Sequence, residues 1–236
     1  MNVYVNKITG LDDAIVSMYM SKRSWNLKLE QSIRELYDDV TDSDGTIIAF
    51  DSQFEEWVRK LLNYGINHTT LLRFIDFSIT VEGIHRAGQD DWGSHAKRFE
   101  NRIVRSSTRL STFKEGEMSD YYKERILSTD LALKALDIKL PEAITIDGKK
   151  YVKQVNGYIL ESEADKKDVK RGLYMLSIPS NFIFKVNLTE WAHVYKERNE
   201  KSGANPEVKQ LCETIATEIE KKVPYFNREV FKAIKN

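Results

Sequence analysis

The chain has 236 residues, and its 41% hydrophobic and 31% charged residues favour an ordinary soluble globular protein. Lys plus Arg and Asp plus Glu both number 36, so the overall charge points to neither a nucleic acid nor an acidic membrane as a partner. One cysteine, Cys212, excludes an intrachain disulfide and a multi-cysteine zinc site.

The start of the chain and its hydropathy bear on the compartment. Residues 1–10 lack the basic start and the apolar core of a secretory signal. No run approaches the roughly 20 apolar residues of a membrane span. We therefore expect a cytoplasmic protein of a bacterium or of a phage-infected host cell, with no membrane partner.

The first part of the chain predicts a short strand, three helices and a long strand. Residues 3–8 alternate weakly, which favours a strand, and residues 74–84 alternate Phe, Ile and Val, which favours a longer one. Apolar residues at helical spacing predict helices over 10–25, 27–40 and 52–65. In the third helix we expect Ser52 to be the cap, Gly65 to mark the end, and the buried stripe to consist of Phe54, Trp57, Leu61 and Leu62.

The second part of the chain predicts further helices and a set of short strands. Asp147-Gly148 and Asn156-Gly157 lie between β-rich runs, which indicates a hairpin or small meander over 143–160. A strand is predicted over 181–187, and helices over 118–136, 165–176, 188–198, 205–223 and 224–234. Asn205 is the expected cap before Pro206 at a first helical position. This order predicts one α+β domain over 1–236, with an antiparallel sheet and packed long helices.

Positive charge is concentrated in residues 95–111, where five Arg or Lys and four Ser or Thr occur in seventeen positions. A guanidinium can make two parallel hydrogen bonds to a phosphate, and short hydroxyls add donors. If this stretch is a strand, Ser107 and Arg109 lie on the same face, with Thr108 between them. The alternative interpretation is a polar surface strand with no ligand.

Other polar residues give no recognisable motif by spacing. Arg171 precedes an apolar segment, and Arg198 lies near a helix end, where its charge suits the helix dipole. The four histidines form no metal-binding pair, so no metal site is predicted. The chain has neither a Gly-rich phosphate loop nor a Ser-His-Asp signature.

Three segments in order resemble the flavin-dependent thymidylate synthases, the ThyX family. They are HTTLLRFIDFSITVEGIHRA, KRFENRIVRSSTRL and the long run from RGLYML to NPEVKQL, and together they cover about half of the chain. Ser107 and Arg109 match the serine and arginine of the family signature. Arg171, Asn187 and Arg198 match an arginine, a helix-opening asparagine and a helix-closing arginine.

The resemblance implies a nucleotide site and a flavin site in a homotetramer whose active sites are shared between subunits. Ser107 and Arg109 are the implied catalytic-site residues, and the implied nucleotide-binding residues are Ser107, Thr108, Arg109, Arg171 and Arg198. The implied FAD-side residues are Lys97, Arg98, Asn187 and His193. Reductive methylation of dUMP, with methylenetetrahydrofolate and NADPH as co-substrates, is the implied reaction.

The chain also departs from the family pattern, mainly on the flavin side. Lys97, Arg98 and Phe99 stand in place of the family's Arg-His-Arg triplet, and His193 stands in place of an asparagine. Arg105 replaces an acidic residue two positions before the signature serine. Three hypotheses therefore stay open: a thymidylate synthase-like enzyme, a homologue that binds a pyrimidine deoxynucleotide with altered or lost flavin chemistry, and a non-enzymatic binding protein.

Overall fold

The structure is a computed structural model that describes residues 1–93, 102–107, 114, 117–199 and 205–235; the side chains of Arg102 and Arg171 are not described. The strands are β1 (Asn2–Thr9), β2 (Asp76–His85), β3 (Arg102–Arg105), β4 (Ala143–Ile146), β5 (Lys149–Gln154), β6 (Gly157–Leu160) and β7 (Pro179–Asn187). The helices are α1 (Leu11–Ser21), α2 (Leu27–Val40), α3 (Ser52–Gly65), α4 (Arg86–Gly93), α5 (Asp120–Lys123), α6 (Thr129–Ala135), α7 (Lys167–Lys170), α8 (Leu188–Asn199), α9 (Pro206–Lys222) and α10 (Arg228–Ala233).

The chain divides into two compact units that alternate along the sequence. Unit 1 consists of Met1, Glu82–Asp91 and Arg105–Phe182, and unit 2 consists of Asn2–Val81, Trp92–Val104 and Ile183–Asn236. That residues 1–236 form a single domain stays a prediction. Among the described residues, no helix combines the length and the apolar character needed to cross a bilayer.

Two sheets are present in the described chain. One has four strands in the order β1-β2-β7-β3, and the other has three strands in the order β4-β5-β6. The second is the predicted meander, and its neighbouring strands pair antiparallel. Asp147 and Gly148 both have positive φ, as the tight turn between β4 and β5 requires. The predicted α+β class with antiparallel pairing is therefore confirmed.

Unit 2 contains the long helices, which pack on one another and on β1. Helix α9 lies against β1 and α8, while α1 contacts α2 and α3. The predicted stripe of α3 is buried, and so are Val208, Leu211, Cys212, Ile215 and Ile219 of α9. These helices form because their apolar residues recur at a spacing that places them on one face.

The caps of the long helices are partly those predicted. The side chain of Asn205 accepts a hydrogen bond from the Glu207 amide at 2.9 Å, which confirms that cap. The prediction for Ser52 was wrong, because Asp51 is the cap and its Oδ1 accepts from the amides of Gln53 and Phe54, both at 2.8 Å. Asp51 is extended, which places its carboxylate over these amides, whereas Ser52 is already helical.

An aromatic cluster holds α8 in unit 2. The ring of Trp92 lies 5.3 Å from Phe184 and 6.3 Å from Trp191, and Phe231 lies 5.9 Å from Trp191. Tyr195, one turn further along α8, packs on Phe231 at 5.5 Å. Edge-on and tilted ring contacts stabilise the fold by more than the burial of their apolar area alone. The cluster therefore fixes the orientation of α8 within unit 2.

Unit 1 has shorter elements than the sequence predicts. The helix predicted over 118–136 is two helices, α5 and α6, because Ser128 caps a new helix by accepting a hydrogen bond from the Leu131 amide. The helix predicted over 165–176 is reduced to α7, followed by a 3-10 turn at Arg171–Leu173. Pro179 does not interrupt a helix but begins β7.

Candidate functional site

Unit 1 contains a cleft of about 350 Å³ that is charged on one side and largely apolar on the other. Helix α4 supplies the charged side through Arg86 and Asp90. The other side is the segment 172–178, which contributes Gly172, Tyr174, Met175, Leu176 and Ile178. An aromatic ring and aliphatic walls beside a guanidinium suit a small organic anion that has a flat ring.

Backbone hydrogen bonds fix the two sides of the cleft to each other. The amide of Arg86 donates to the carbonyl of Ile178 at 2.9 Å, and the amide of Ala87 donates to Leu176 at 3.1 Å. The ring of His85 is buried and packs edge-on against Tyr122 at 4.8 Å. Gly88 is needed here because a Cβ at this position would collide with that ring.

A buried amide, Gln89, connects the charged side of the cleft to strand β7. Its Oε1 accepts hydrogen bonds from Arg86 Nη1 at 2.7 Å and from Ser180 Oγ at 2.8 Å, and its Nε2 donates to the carbonyl of Asn181 at 3.0 Å. Gln89 is fully buried, so these three bonds replace hydration that the amide loses on folding. They also hold the Arg86 guanidinium in one orientation.

The same stretch of β7 holds the chain at the end of β3. The amide of Ser106 donates to the carbonyl of Asn181 at 2.9 Å, and the amide of Asn181 donates back to Ser106 Oγ at 3.1 Å. The hydroxyls of Ser106 and Ser180 are 3.1 Å apart. Because Ser107 follows directly, its backbone starts from a fixed position.

Three charged side chains meet beside the cleft. Arg105 Nη1 donates to Asp90 Oδ1 at 2.7 Å, and Arg86 Nε lies 3.5 Å from Asp90 Oδ2. Two guanidinium groups share one carboxylate, so the group carries a net positive charge. That charge attracts an anionic ligand.

Of the predicted nucleotide-binding residues in unit 1, the structure describes Ser107 and the backbone of Arg171. Ser107 is exposed and lies two residues beyond β3, so it is not part of that strand, and whether it shares a face with Arg109 stays a prediction. Strand β3 ends at Arg105. Arg171 begins the 3-10 turn whose next residue, Gly172, lines the cleft. Thr108, Arg109, Lys97 and Arg98 lie outside the described residues.

The remaining predicted residues belong to unit 2. Asn187 ends β7, is buried, and its Oδ1 accepts the Glu190 amide at 2.9 Å, so it caps the start of α8. His193 and Arg198 are half-buried on α8. Five residues apart, they project about 140° from each other around the helix axis.

Sequence reasoning missed the residues that build the cleft. Arg86 and Gln89 are three residues apart, so they share a helix face, but α4 was not predicted. Asp90 belonged to no predicted motif. Ser180 and Asn181 carried no signal, since their role depends on strand β7 lying beside α4.

The described residues form an α+β protein with a cleft that is charged on one side and largely apolar on the other. A sequence model of a known family, described as "Thymidylate synthase complementing protein", matches residues 11–225. The chain therefore belongs to this family, as the resemblance predicted. No curated protein sequence matches the chain at a significant level.

Solved structures share the fold at low sequence identity. ThyX from Helicobacter pylori, crystallised with FAD and dUMP, is 12% identical, has a TM-score of 0.58, and matches over 98% of this chain and 100% of that one. A second structure of the complex from the same organism gives 11% identity and a TM-score of 0.55, over 100% of both chains. PolB from Streptomyces cacaoi, a UMP/dUMP methylase bound to 5-Br dUMP, gives 13% identity and a TM-score of 0.56, over 99% of this chain and 95% of that one.

Proposed function

We propose that this protein is a flavin-dependent thymidylate synthase-like enzyme that methylates dUMP reductively. Methylenetetrahydrofolate is the carbon donor, and NADPH is the source of electrons for FAD. The observation that carries the proposal is the cleft of unit 1, lined by Arg86 and Asp90 and by residues of the segment 172–178 that follows Arg171. The family match over residues 11–225 supports it.

The proposed contribution of the chain is binding and orientation. Ser107 and Thr108 orient the nucleotide, while Arg109, Arg171 and Arg198 hold its phosphate and base. Each charge-assisted bond to phosphate stabilises the complex by roughly 1.5–3 kcal/mol, so two or three can compete with hydration. Tyr174 and the aliphatic wall offer a surface for the pyrimidine ring. Holding the reactants in contact is a large part of catalysis in such reactions.

The flavin side is assigned to Lys97, Arg98, Asn187 and His193. When bound, FAD supplies the hydride that completes the reduction. The Asn187 oxygen accepts one hydrogen bond as the cap of α8, which leaves its amide nitrogen and a second acceptor position for this role. The half-buried imidazole of His193 adds a polar group on the same helix.

The second candidate is a homologue that binds a pyrimidine deoxynucleotide and has altered or lost flavin chemistry. The replacement of the family's Arg-His-Arg triplet by Lys97, Arg98 and Phe99 favours this candidate, because a phenylalanine side chain cannot donate a hydrogen bond to a flavin. PolB, described as a UMP/dUMP methylase, shares the fold, and it matches this chain with a TM-score of 0.56, close to the 0.58 of the first ThyX structure. A non-enzymatic binding protein is the third hypothesis, and it predicts no turnover.

The purified protein distinguishes these candidates in two measurements. A visible spectrum with and without added FAD tests flavin binding, and chromatography of a mixture with dUMP, methylenetetrahydrofolate, FAD and NADPH tests for dTMP. The enzyme is expected to be yellow and to form dTMP. A colourless protein that takes up no FAD but binds dUMP, dCMP or dTMP in calorimetry would be the second candidate. One that binds none of them would contradict both.

We also propose that the protein works as a homotetramer in the cytoplasm, with no nucleic-acid or membrane partner. The active site shared between subunits is the one that the family resemblance implies. Light scattering after gel filtration is expected to give four times the 27.4 kDa chain mass. A monomer would contradict the shared site.

A further inference from the structure

Asp90 joins helix α4 to the end of strand β3 through its carboxylate. Its Oδ1 accepts a hydrogen bond from Arg105 Nη1 at 2.7 Å, and its Oδ2 lies 3.5 Å from Arg86 Nε. The side chain of Arg105 is 29% exposed and that of Asp90 is 48% exposed. This ion pair belongs to the present chain, because the family pattern has an acidic residue where Arg105 stands.

The residues after Arg105 are those that the proposed function assigns to the nucleotide. The amide of Ser106 donates to the carbonyl of Asn181, the hydroxyl of Ser106 accepts from the Asn181 amide, and Ser107 follows directly. Asp90 holds the side chain of Arg105, and Asn181 holds the backbone of Ser106. Together the two contacts define the direction in which the chain leaves β3 toward Ser107.

We propose that Asp90 is a positioning residue for nucleotide binding. Its carboxylate holds Arg105, and through Arg105 it holds the chain at Ser107 in the orientation that a nucleotide monophosphate needs. The inference rests on the proposed function, since it assumes that the Ser107 segment binds the nucleotide. It goes beyond that function by assigning a role to Asp90. Neither the family pattern nor the negative charge of the ligand predicts that role.

Simple electrostatics predicts the opposite effect of removing this acid. The phosphate of a nucleotide is negatively charged, so loss of a nearby carboxylate reduces repulsion and strengthens binding. Loss of a positioning contact instead weakens binding, because the donors no longer meet the phosphate in the right geometry. The sign of the change therefore separates the two roles.

The test is calorimetric titration of dUMP into the full-length protein and its Asp90→Asn variant. Asparagine keeps the shape and removes the charge, and we expect dUMP to bind at least about tenfold more weakly. Asp120→Asn is the matched control, since it removes an exposed carboxylate of the same unit that pairs with Lys123 at 2.8 Å. The control is expected to bind dUMP within about twofold of the wild type.

A second variant and a second readout separate positioning from general loss of structure. Arg105→Gln and the Arg105→Gln/Asp90→Asn double variant are expected to bind dUMP as weakly as Asp90→Asn, because the two side chains act through one contact. Hydrogen exchange of the Ser106 amide is expected to quicken in all three, with an unchanged melting temperature.

The outcomes distinguish the inference from the function on which it rests. Equal or tighter binding of dUMP by Asp90→Asn, with binding by the wild type intact, would overturn the inference alone. Additive losses in the double variant would also overturn it. Failure of the wild type to bind dUMP would overturn the proposed function and, with it, the inference.

Discussion

Replacing Gln89 with Met removes the buried amide that connects helix α4 to strand β7. Methionine has a similar length and keeps the apolar contacts, but it cannot make the three hydrogen bonds of the amide. The bonds lost are those from Arg86 Nη1 at 2.7 Å and Ser180 Oγ at 2.8 Å, and that to the Asn181 carbonyl at 3.0 Å. The Gln89 side chain that makes these three bonds has a solvent exposure of 0%.

The cost can be worked out from what each former partner retains. Ser180 keeps its contact with Ser106, the Asn181 carbonyl keeps the Ser106 amide, and Arg86, at 23% exposure, can reach water. Each lost bond therefore costs about the central value for a hydrogen bond, ~1 kcal/mol, for a total of ~3 kcal/mol. This is a large fraction of the ~5–15 kcal/mol that stabilises a typical domain.

Urea denaturation followed by circular dichroism measures the change in the free energy of unfolding. The control is Gln210→Met, an exposed position on α9, where the change is expected to stay within about 0.5 kcal/mol. If Gln89→Met lost no more stability than this control, the amide network would not support the cleft, and the reasoning would be wrong.

Three further predictions concern other parts of the molecule. Burial, followed by the Glu213 contact, raises the pKa of Tyr195 to about 12, so the neutral phenol is the stable form in the fold. This raised pKa adds roughly 2–3 kcal/mol to the free energy of unfolding below pH ~10, and the addition is lost as the pH rises through ~12. Denaturation of the wild type between pH 9 and 12 should show this loss, whereas Tyr195→Phe should give a flatter curve. Arg109→Ala should weaken dUMP binding far more than Arg105→Ala in calorimetry, because Arg109 is proposed to touch the phosphate while Arg105 acts through position; equal losses would contradict the alignment with the family signature. Asp51→Ala should lower the free energy of unfolding by about 1 kcal/mol and Ser52→Ala by much less, since Asp51 caps α3; equal losses for the two variants would refute that assignment.

Local pattern was enough to predict the long elements. Asn205 followed by Pro206 locates the start of α9, and its apolar spacing identifies the buried face. Asp147-Gly148 identifies a turn of the meander, because two positive φ angles in succession favour these residues. Each of these signals acts between residues a few positions apart, so the printed sequence contains it in full.

Some boundaries of the elements were harder to predict for a physical reason. The region around 118–136 has helical composition throughout, but Ser128 caps a new helix inside it. Likewise Asp51 and Ser52 are both good caps, and the backbone conformation of Asp51 decides between them. Propensity alone ranks such neighbours as nearly equal.

Resemblance of three segments predicted the family, and residue chemistry explained why scattered arginines could serve one anion. The cleft itself came from contacts across large separations in the chain, such as Gln89 with Ser180 and Arg86 with Ile178. No periodicity records which strand lies beside which helix, since that choice is made by packing of the whole chain. Local spacing thus determines the elements and the resemblance of segments indicates the family, while tertiary packing determines which polar side chains meet and in what geometry.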